Sequence, residues 1–218
     1  LVLLPLWALL IGACAAAATA PRMQALVAAA IASAVGIASH IAADLLTVYG
    51  TMVFYPLSLA RVQLGTTYLV DPVLAGIALG TLVLALRSRR RWISCLGIGA
   101  LSTYVALQGL LQARAIEVGA ASLRAGGIAF ERVIALPQPF SAFSWKLIAP
   151  GLERHHQAYL DLLGLQPIVP DTALLRPLHR MAAAYRPAGS LDWQAKHLFG
   201  ERPEAAETAR SLWEDPRF

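Results

Sequence analysis

The amino-acid sequence predicts an all-α membrane helical bundle of about four transmembrane helices, followed by a small α+β extramembrane domain. The chain of 218 residues is 57% hydrophobic and only 14% charged, whereas a soluble domain carries about 25% charged residues. Its long uncharged segments come first, and β-forming and Pro-rich segments follow them. We therefore expect a transmembrane region at residues 1–127 and an α+β domain with a Pro-rich tail at residues 128–218.

Four segments are the candidate spans: residues 1–20, 23–41, 72–86 and 92–111. A helix needs about 20 apolar residues to cross the hydrocarbon core, and only the third segment is slightly short of this length. The first segment has two alternatives, a cleaved signal peptide or a lipoprotein signal at Cys14. Both need a basic region upstream, which this chain lacks, so a span is preferred. Because the sequence opens inside an apolar run, we expect further residues before Leu1.

An arginine cluster between the third and fourth spans predicts the orientation. Arg87, Arg89, Arg90 and Arg91 follow one another closely, and loops rich in Lys and Arg stay in the cytoplasm. The segment between spans two and three and the whole C-terminal domain then lie on the opposite side. Arg114 and Arg124, soon after span four, oppose this orientation.

The C-terminal half contains weaker signals. We expect span four to continue as a helix through residues 112–127 and to end at Gly126-Gly127. Residues 128–136 and 140–148 contain β-formers and are separated by Pro137 and Pro139, which predicts two strands joined by a turn. We expect short helices at residues 154–163 and 205–213.

The segment that ends span two contains the most informative spacing. His40 and Asp44 are four residues apart, so both side chains leave the same face of a helix. An imidazole and a carboxylate in this arrangement can hold one divalent metal ion, although two ligands do not complete a site. The alternative is a structural His–Asp pair that clamps helix ends, and the spacing alone does not separate the two.

Asp71, His155 and His156 each have two interpretations, one functional and one structural. Asp71 precedes Pro72, which is typical of a helix N-cap with proline in the first turn; a catalytic carboxylate is the weaker interpretation. The adjacent His155 and His156 cannot both point in one direction, so at most one of them joins a shared site. A solvated face is the alternative for both.

These residues together resemble a known family. The shared positions are His40, Asp44, Thr47, Tyr49 and Gly50, then Tyr55-Pro56 and the run from Tyr68 to Pro72. In them the chain resembles the YdjM-like family of bacterial inner-membrane proteins, which are described as membrane-bound metal-dependent hydrolases. The segment from Leu136 to Phe140, together with Trp145, His156 and Tyr159, is similar to the family's distal part. The resemblance thus covers most of residues 1–165.

The resemblance implies a multi-pass protein of the bacterial inner membrane, and in such a membrane the arginine cluster predicts that the C-terminal domain lies in the periplasm. It implies metal ligation by His40 and Asp44, with zinc as the default ion. Thr47 and Tyr49 match the same motif or only shape the turn into Gly50, and His156 is a possible site-shaping residue. The family's usual pattern places an HRxxTH-type motif and acidic residues before the position of Leu1. This chain alone is therefore expected to be inactive.

The predicted function is a membrane-embedded metal-dependent hydrolase acting on a substrate that is unknown and could be lipid-like. The rival interpretation is a non-catalytic membrane scaffold or envelope regulator in which His40 and Asp44 form a structural pair. The lipid bilayer is the expected partner. No nucleic-acid-binding motif occurs in the sequence, so no nucleic-acid partner is expected, and protein partners are unknown.

Overall fold

The computed structural model describes residues 4–19, 23–139, 141–151, 154–165, 172, 175–197, 207 and 210–211. Helices come first and a sheet follows. The elements are α1 (Leu4–Thr19), α2 (Met23–Leu46), α3 (Pro72–Ser88), α4 (Arg91–Ala125), β1 (Ile134–Pro137), β2 (Ser144–Ala149), β3 (Arg154–Asp161), α5 (Arg176–Ala182) and β4 (Gln194–His197). The chain forms two compact units, Leu1–Leu69 and Val70–Phe218.

In the first unit, α1 packs along α2. The two helices approach closely at Gly12, where an added Cβ would lie 2.7 Å from the Cα of Ala30, so a larger residue would force the helices apart. The outward side chains are apolar, with Trp7 54% and Ile31 and Val35 each 60% exposed. A helix that is apolar around its outer surface is typical of a membrane segment.

Two of the four predicted spans meet the length and composition of a membrane-crossing helix. Within the described residues these are α2 and α4. The apolar helices α1 and α3 have 16 and 17 residues, about 24–26 Å at 1.5 Å per residue, whereas the hydrocarbon core is about 30 Å thick. The helical region is therefore confirmed, and a bundle of four spans stays a prediction.

In the second unit, α3 and α4 form a helical hairpin. Arg89 adopts a left-handed conformation (φ 53°) and donates its backbone N–H to Ala85, which ends α3. The following helix α4 is 35 residues long and ends at Gly126, so the predicted continuation of span four is confirmed. At about 52 Å, α4 is longer than the hydrocarbon core is thick.

The sheet is antiparallel with strand order β1-β2-β3-β4. Its register places Ala135 opposite Leu147 and Trp145 opposite Leu160, so these side chains share one face. The C-terminal half of α4 packs on that face and forms a single core with it. The buried members are Ala115, Ala120, Leu123, Val133, Ala135, Trp145, Leu147, Ala149 and Leu160.

The predicted helix at residues 154–163 is wrong, because Arg154–Asp161 forms the strand β3. Its backbone bonds to β2 along six residue pairs. Ala158 and Leu160 alternate inward and are buried, and Leu160 belongs to the core that packs against α4. Non-local pairing of this kind overrides local helix preference.

The two predicted strands are shorter than expected. β1 starts only at Ile134, where its pairing with Ile148 begins, while Ile128 and Phe130 pack on the core outside any strand. β2 starts at Ser144. The hairpin between them is confirmed. The predicted helix at residues 205–213 lies largely outside the described residues.

Candidate functional site

His40 and Asp44 lie near the C-terminal end of α2 and face the same side of the helix, as their spacing predicts. The distance from Nε2 of His40 to Oδ2 of Asp44 is 3.6 Å, and their side chains are 78% and 45% exposed. The helix rise of 1.5 Å per residue brings positions i and i+4 into this contact. One nitrogen and one carboxylate oxygen therefore converge at an accessible point.

Thr47 terminates α2 and holds the carbonyl of Asp44. Both its backbone N–H (3.0 Å) and its hydroxyl Oγ1 (2.8 Å) donate to the Asp44 carbonyl oxygen. The side chain is buried, with the residue 8% exposed. Thr47 thereby fixes the backbone from which the Asp44 side chain projects. This contact supports the turn-shaping alternative for Thr47.

Tyr49 lies two residues beyond Thr47 and is 67% exposed. Next to it, the carbonyl of Gly50 accepts a hydrogen bond of 3.2 Å from Nη1 of Arg61. Because Tyr49 itself is largely exposed, its ring lies on the outside of the loop that follows α2. Any role of Tyr49 in a site stays a prediction.

Asp71 is the N-cap of α3, as predicted. Its Oδ1 accepts the backbone N–H groups of Val73 (2.8 Å) and Leu74 (3.0 Å), and Pro72 occupies the first turn. Its Oδ2 accepts a hydrogen bond of 2.7 Å from the hydroxyl of Tyr104 on α4. Both carboxyl oxygens are thus engaged: Oδ1 caps α3, and Oδ2 joins α3 to α4. The catalytic interpretation of Asp71 stays a prediction.

Sequence reasoning missed the partner of Asp71 on α4, Tyr104, and the residue that supports it, Gln108. Nε2 of Gln108 donates to the Tyr104 hydroxyl at 3.2 Å, and Gln108 is only 2% exposed. Its Oε1 is buried and has no hydrogen-bond partner in the part of the chain that the structure describes. The sequence does contain a signal for this contact: Tyr104 and Gln108 are polar residues four apart within an apolar span. Polar groups in spans usually face other helices.

His156 lies on β3 in the second unit, between Ala149 of β2 and Ala195 of β4. His155 lies on the opposite face, because successive strand residues alternate. The two side chains therefore point apart, as predicted, although the element is a strand. The prediction that His156 helps to shape the site of His40 and Asp44 stays a prediction.

The environment of His155 disfavours its charged form. Burial, followed by the nearby positive charges of Lys146, His156 and Lys196, lowers the pKa of His155 below its usual value of 6.5. Its Nδ1 is buried without a hydrogen-bond partner among the described residues. With its pKa lowered, the half-buried imidazole of His155 favours the neutral form.

The donor set near α2 fits part of a metal site. Imidazole nitrogen and carboxylate oxygen are both zinc ligands, and the 3.6 Å between them allows both to approach one ion. Among the described residues, no group of three or more His, Cys, Asp or Glu side chains is placed to hold a metal ion. Further ligands would therefore have to come from outside this set.

Comparison with protein families gives one match, to the family described as YdjM inner membrane protein, over residues 1–115. Comparison with curated proteins and with solved structures gave no match. The matched region contains α1, α2, α3, most of α4 and the candidate residues His40, Asp44, Thr47, Tyr49 and Asp71, whereas His156 lies beyond it. Since the match covers more than half of the sequence, the chain belongs to the YdjM inner membrane protein family.

Proposed function

We propose that this protein is a membrane-embedded, metal-dependent hydrolase in which His40 and Asp44 supply two ligands of a divalent ion, zinc by default. The observation that carries the proposal is the convergence of Nε2 of His40 and Oδ2 of Asp44 at 3.6 Å on one accessible helix face. When bound, zinc lowers the pKa of a coordinated water and polarises the substrate oxygen.

The exposure of the pair supports ligation over clamping. A structural clamp joins two elements and is buried between them, whereas His40 and Asp44 belong to one helix and remain 78% and 45% exposed at the side chain. An exposed pair at i and i+4 contributes only about 0.3–0.5 kcal/mol to stability. The pair therefore contributes little to the stability of the fold. Nε2 of His40 and Oδ2 of Asp44 remain available to bind a metal ion.

Thr47 has a supporting role in this proposal. Its two hydrogen bonds to the Asp44 carbonyl fix the last turn of α2, so the carboxylate projects from a rigid backbone. Rigid support of this kind keeps a metal ligand in place before the ion binds. The remaining ligands would have to come from outside the described residues.

The substrate is proposed to be lipid-like. The pair lies near the end of a helix that is long and apolar enough to cross a membrane, so a molecule with an acyl chain and a polar, hydrolysable group could reach it from the bilayer. A phosphoester or an acyl ester at the headgroup would meet this requirement.

A scaffold or envelope regulator is the second candidate. It is favoured by the contact between His40 and Asp44 themselves and by the absence of a third ligand among the described residues. In that case the pair would only stabilise the last turns of α2.

The proposed topology has four spans in the bacterial inner membrane, with residues 87–91 in the cytoplasm. The C-terminal half of α4 and the sheet that packs on it would then project into the periplasm. The length of α4, about 52 Å, supports this, because one helix can cross the hydrocarbon core and still extend beyond it. A periplasm-dependent reporter such as alkaline phosphatase fused after Phe218 should be active; activity of a cytoplasm-dependent reporter alone would reverse the orientation.

The function is tested on the full-length gene product in phospholipid nanodiscs. Hydrolysis of phosphoester and acyl-ester lipids should be lost after chelation, return with Zn²⁺, and be absent in His40→Ala and Asp44→Ala. His197→Ala, an exposed histidine on β4, is the matched control and should retain activity. Activity that survives chelation and both ligand substitutions would refute the proposal.

A further inference from the structure

The loop at residues 47–69, which follows α2, largely inverts the usual burial pattern. Three of its threonines are inside, with Thr47 and Thr66 each 8% exposed and Thr67 4% exposed, whereas Arg61 and Gln63 are exposed. Most of its large apolar residues are outside, with Leu57 79% and Leu59 72% exposed, and Val53 is buried at 5%. In water this arrangement is unfavourable, since every exposed apolar side chain orders or displaces solvent. The arrangement is favourable where the surrounding medium is itself apolar.

The outward apolar surface covers most of the loop and includes four aromatic rings. Besides Leu57 and Leu59, the exposed large apolar side chains are the aromatic Tyr49, Phe54, Tyr55 and Tyr68 and the aliphatic Met52, Val62, Leu64 and Leu69. Aromatic residues of this kind are enriched where membrane hydrocarbon meets the headgroups, because their rings are apolar and tyrosine retains a polar end. The composition therefore matches the interfacial layer of a bilayer better than bulk water.

The loop's backbone forms hydrogen bonds within the unit instead of relying on water. Thr51 and Val62 exchange two backbone hydrogen bonds of 2.9 and 3.0 Å. The N–H of Leu64 donates to the carbonyl of Leu45 at 2.7 Å, and the N–H of Thr67 donates to the carbonyl of Leu46 at 3.0 Å. These bonds tie the loop to the last turn of α2 and satisfy polar groups that would be costly in lipid.

Charge is nearly absent from the loop. Arg61 is the one charged residue between residues 47 and 69, and its Nη1 donates to the carbonyl of Gly50 at 3.2 Å. A single arginine on a long aliphatic stem can keep its charge at the headgroup level while its neighbours are in hydrocarbon. The charge pattern is therefore compatible with partial burial in the bilayer.

The loop is also continuous with a lipid-facing helix. α2 has the length and composition of a membrane-crossing helix, and its outer residues Val27, Ile31 and Val35 are 51–60% exposed. We infer that the 47–69 loop lies in the interfacial layer of the bilayer, with its apolar side chains among the upper acyl chains and its buried threonines facing the end of α2. The occupant of this apolar surface is lipid, and the inference does not depend on hydrolase activity.

The test measures the depth of single labels in the membrane. Cys14 and Cys95, both exposed, are replaced by Ala, and one cysteine is introduced by Leu57→Cys and labelled with the fluorophore NBD. The full-length protein is reconstituted into vesicles of phosphatidylethanolamine and phosphatidylglycerol with a small fraction of nitroxide-labelled lipid. The nitroxide is placed either at acyl position 5 or at acyl position 12, and aqueous iodide serves as the water-side quencher.

Two reference positions calibrate the measurement. Ile31→Cys on α2 reports the membrane interior, and Gln194→Cys, an exposed residue of β4, reports water. Leu59→Cys repeats the loop measurement at a second position, so that the result does not depend on one variant. Retention of the elution volume and of the far-ultraviolet circular dichroism spectrum checks that each variant folds.

We expect blue-shifted emission at Leu57 and Leu59, stronger quenching by the position-5 nitroxide than by the position-12 nitroxide, and several-fold weaker iodide quenching than at Gln194. Iodide quenching equal to that at Gln194, without lipid quenching, would place the loop in water and overturn the inference. Protection from both iodide and lipid nitroxides would mean that protein covers the loop, and would overturn it equally.

Discussion

Removing the hydroxyl of Tyr104 tests the tie between α3 and α4. In Tyr104→Phe, the carboxyl of Asp71 loses its 2.7 Å hydrogen bond and Nε2 of Gln108 loses its 3.2 Å acceptor. Both polar groups remain buried, and each buried polar group without a partner costs about 1–3 kcal/mol. Two such groups would cost about 2–6 kcal/mol, but interhelical hydrogen bonds in membranes average only about 0.6 kcal/mol, because the unfolded state in the membrane also finds partners. We therefore expect the free energy of unfolding to fall by about 1–3 kcal/mol.

The measurement is reversible unfolding in mixed micelles of increasing sodium dodecyl sulfate content, followed by circular dichroism. Tyr49→Phe removes the same hydroxyl from a residue that is 67% exposed and should change stability by less than about 0.5 kcal/mol. Asp71→Ser keeps an N-cap acceptor and has no second oxygen for Tyr104, so a double-mutant cycle with Tyr104→Phe isolates the interhelical bond. Equal effects of the two Tyr→Phe variants and zero coupling with Asp71→Ser would refute the reasoning.

The remaining predictions concern the sheet, the helix hairpin and metal binding. Because the folded-state pKa of His155 lies below its unfolded value near 6.5, the unfolded state binds more protons at acidic pH. The stability of the sheet should therefore be full above pH 6.5 and fall below it. Hydrogen exchange of β3 measures this pH dependence, which should be lost in His155→Gln. Gly97→Ala should lower stability by about 1–3 kcal/mol, because its Cβ would lie 2.8 Å from Cβ of Thr81. Gly99→Ala, with nothing within 4 Å, should be neutral or stabilising in the same detergent titration. Residues 1–218 alone should bind Zn²⁺ weakly in a calorimetric titration, since two ligands leave the site open; stoichiometric tight binding would show that this chain supplies a complete set.

The helical half of the fold could be predicted because its signals are local. Uncharged runs place α1 to α4 within a few residues of their observed positions, and Asp71 before Pro72 marks the start of α3. The spacing of His40 and Asp44 places both on one face from helix geometry alone. Each of these inferences needs only neighbours along the chain.

The rest could not be predicted because it depends on distant partners. β3 contains residues that suit a helix, and only its pairing with β2 and its packing on α4 select a strand. Likewise, Tyr104 and Gln108 are visible as polar residues in an apolar span, but Asp71, the partner of Tyr104, is 33 residues away. Helix periodicity gives the face of a residue and does not give the element opposite it.

The exposure of the 47–69 loop could also not be read from composition. Leu57, Leu59, Thr66 and Thr67 alternate in no simple pattern along the sequence. Which of them turn outward depends on the backbone bonds to Leu45 and Leu46. An apolar loop is normally expected to bury its leucines, and here the threonines are buried instead.

The metal content of the full-length protein tests the central claim most directly. Zinc per protein, measured by mass spectrometry together with thermal unfolding, is compared among the wild type, His40→Ala, Asp44→Ala and the control His197→Ala. The account predicts one ion in the wild type and control, and its loss in both ligand variants while each still folds and inserts. Unchanged metal content in His40→Ala and Asp44→Ala, whether one ion or none, would contradict ligation; a loss of stability beside it would identify the two residues as a structural pair.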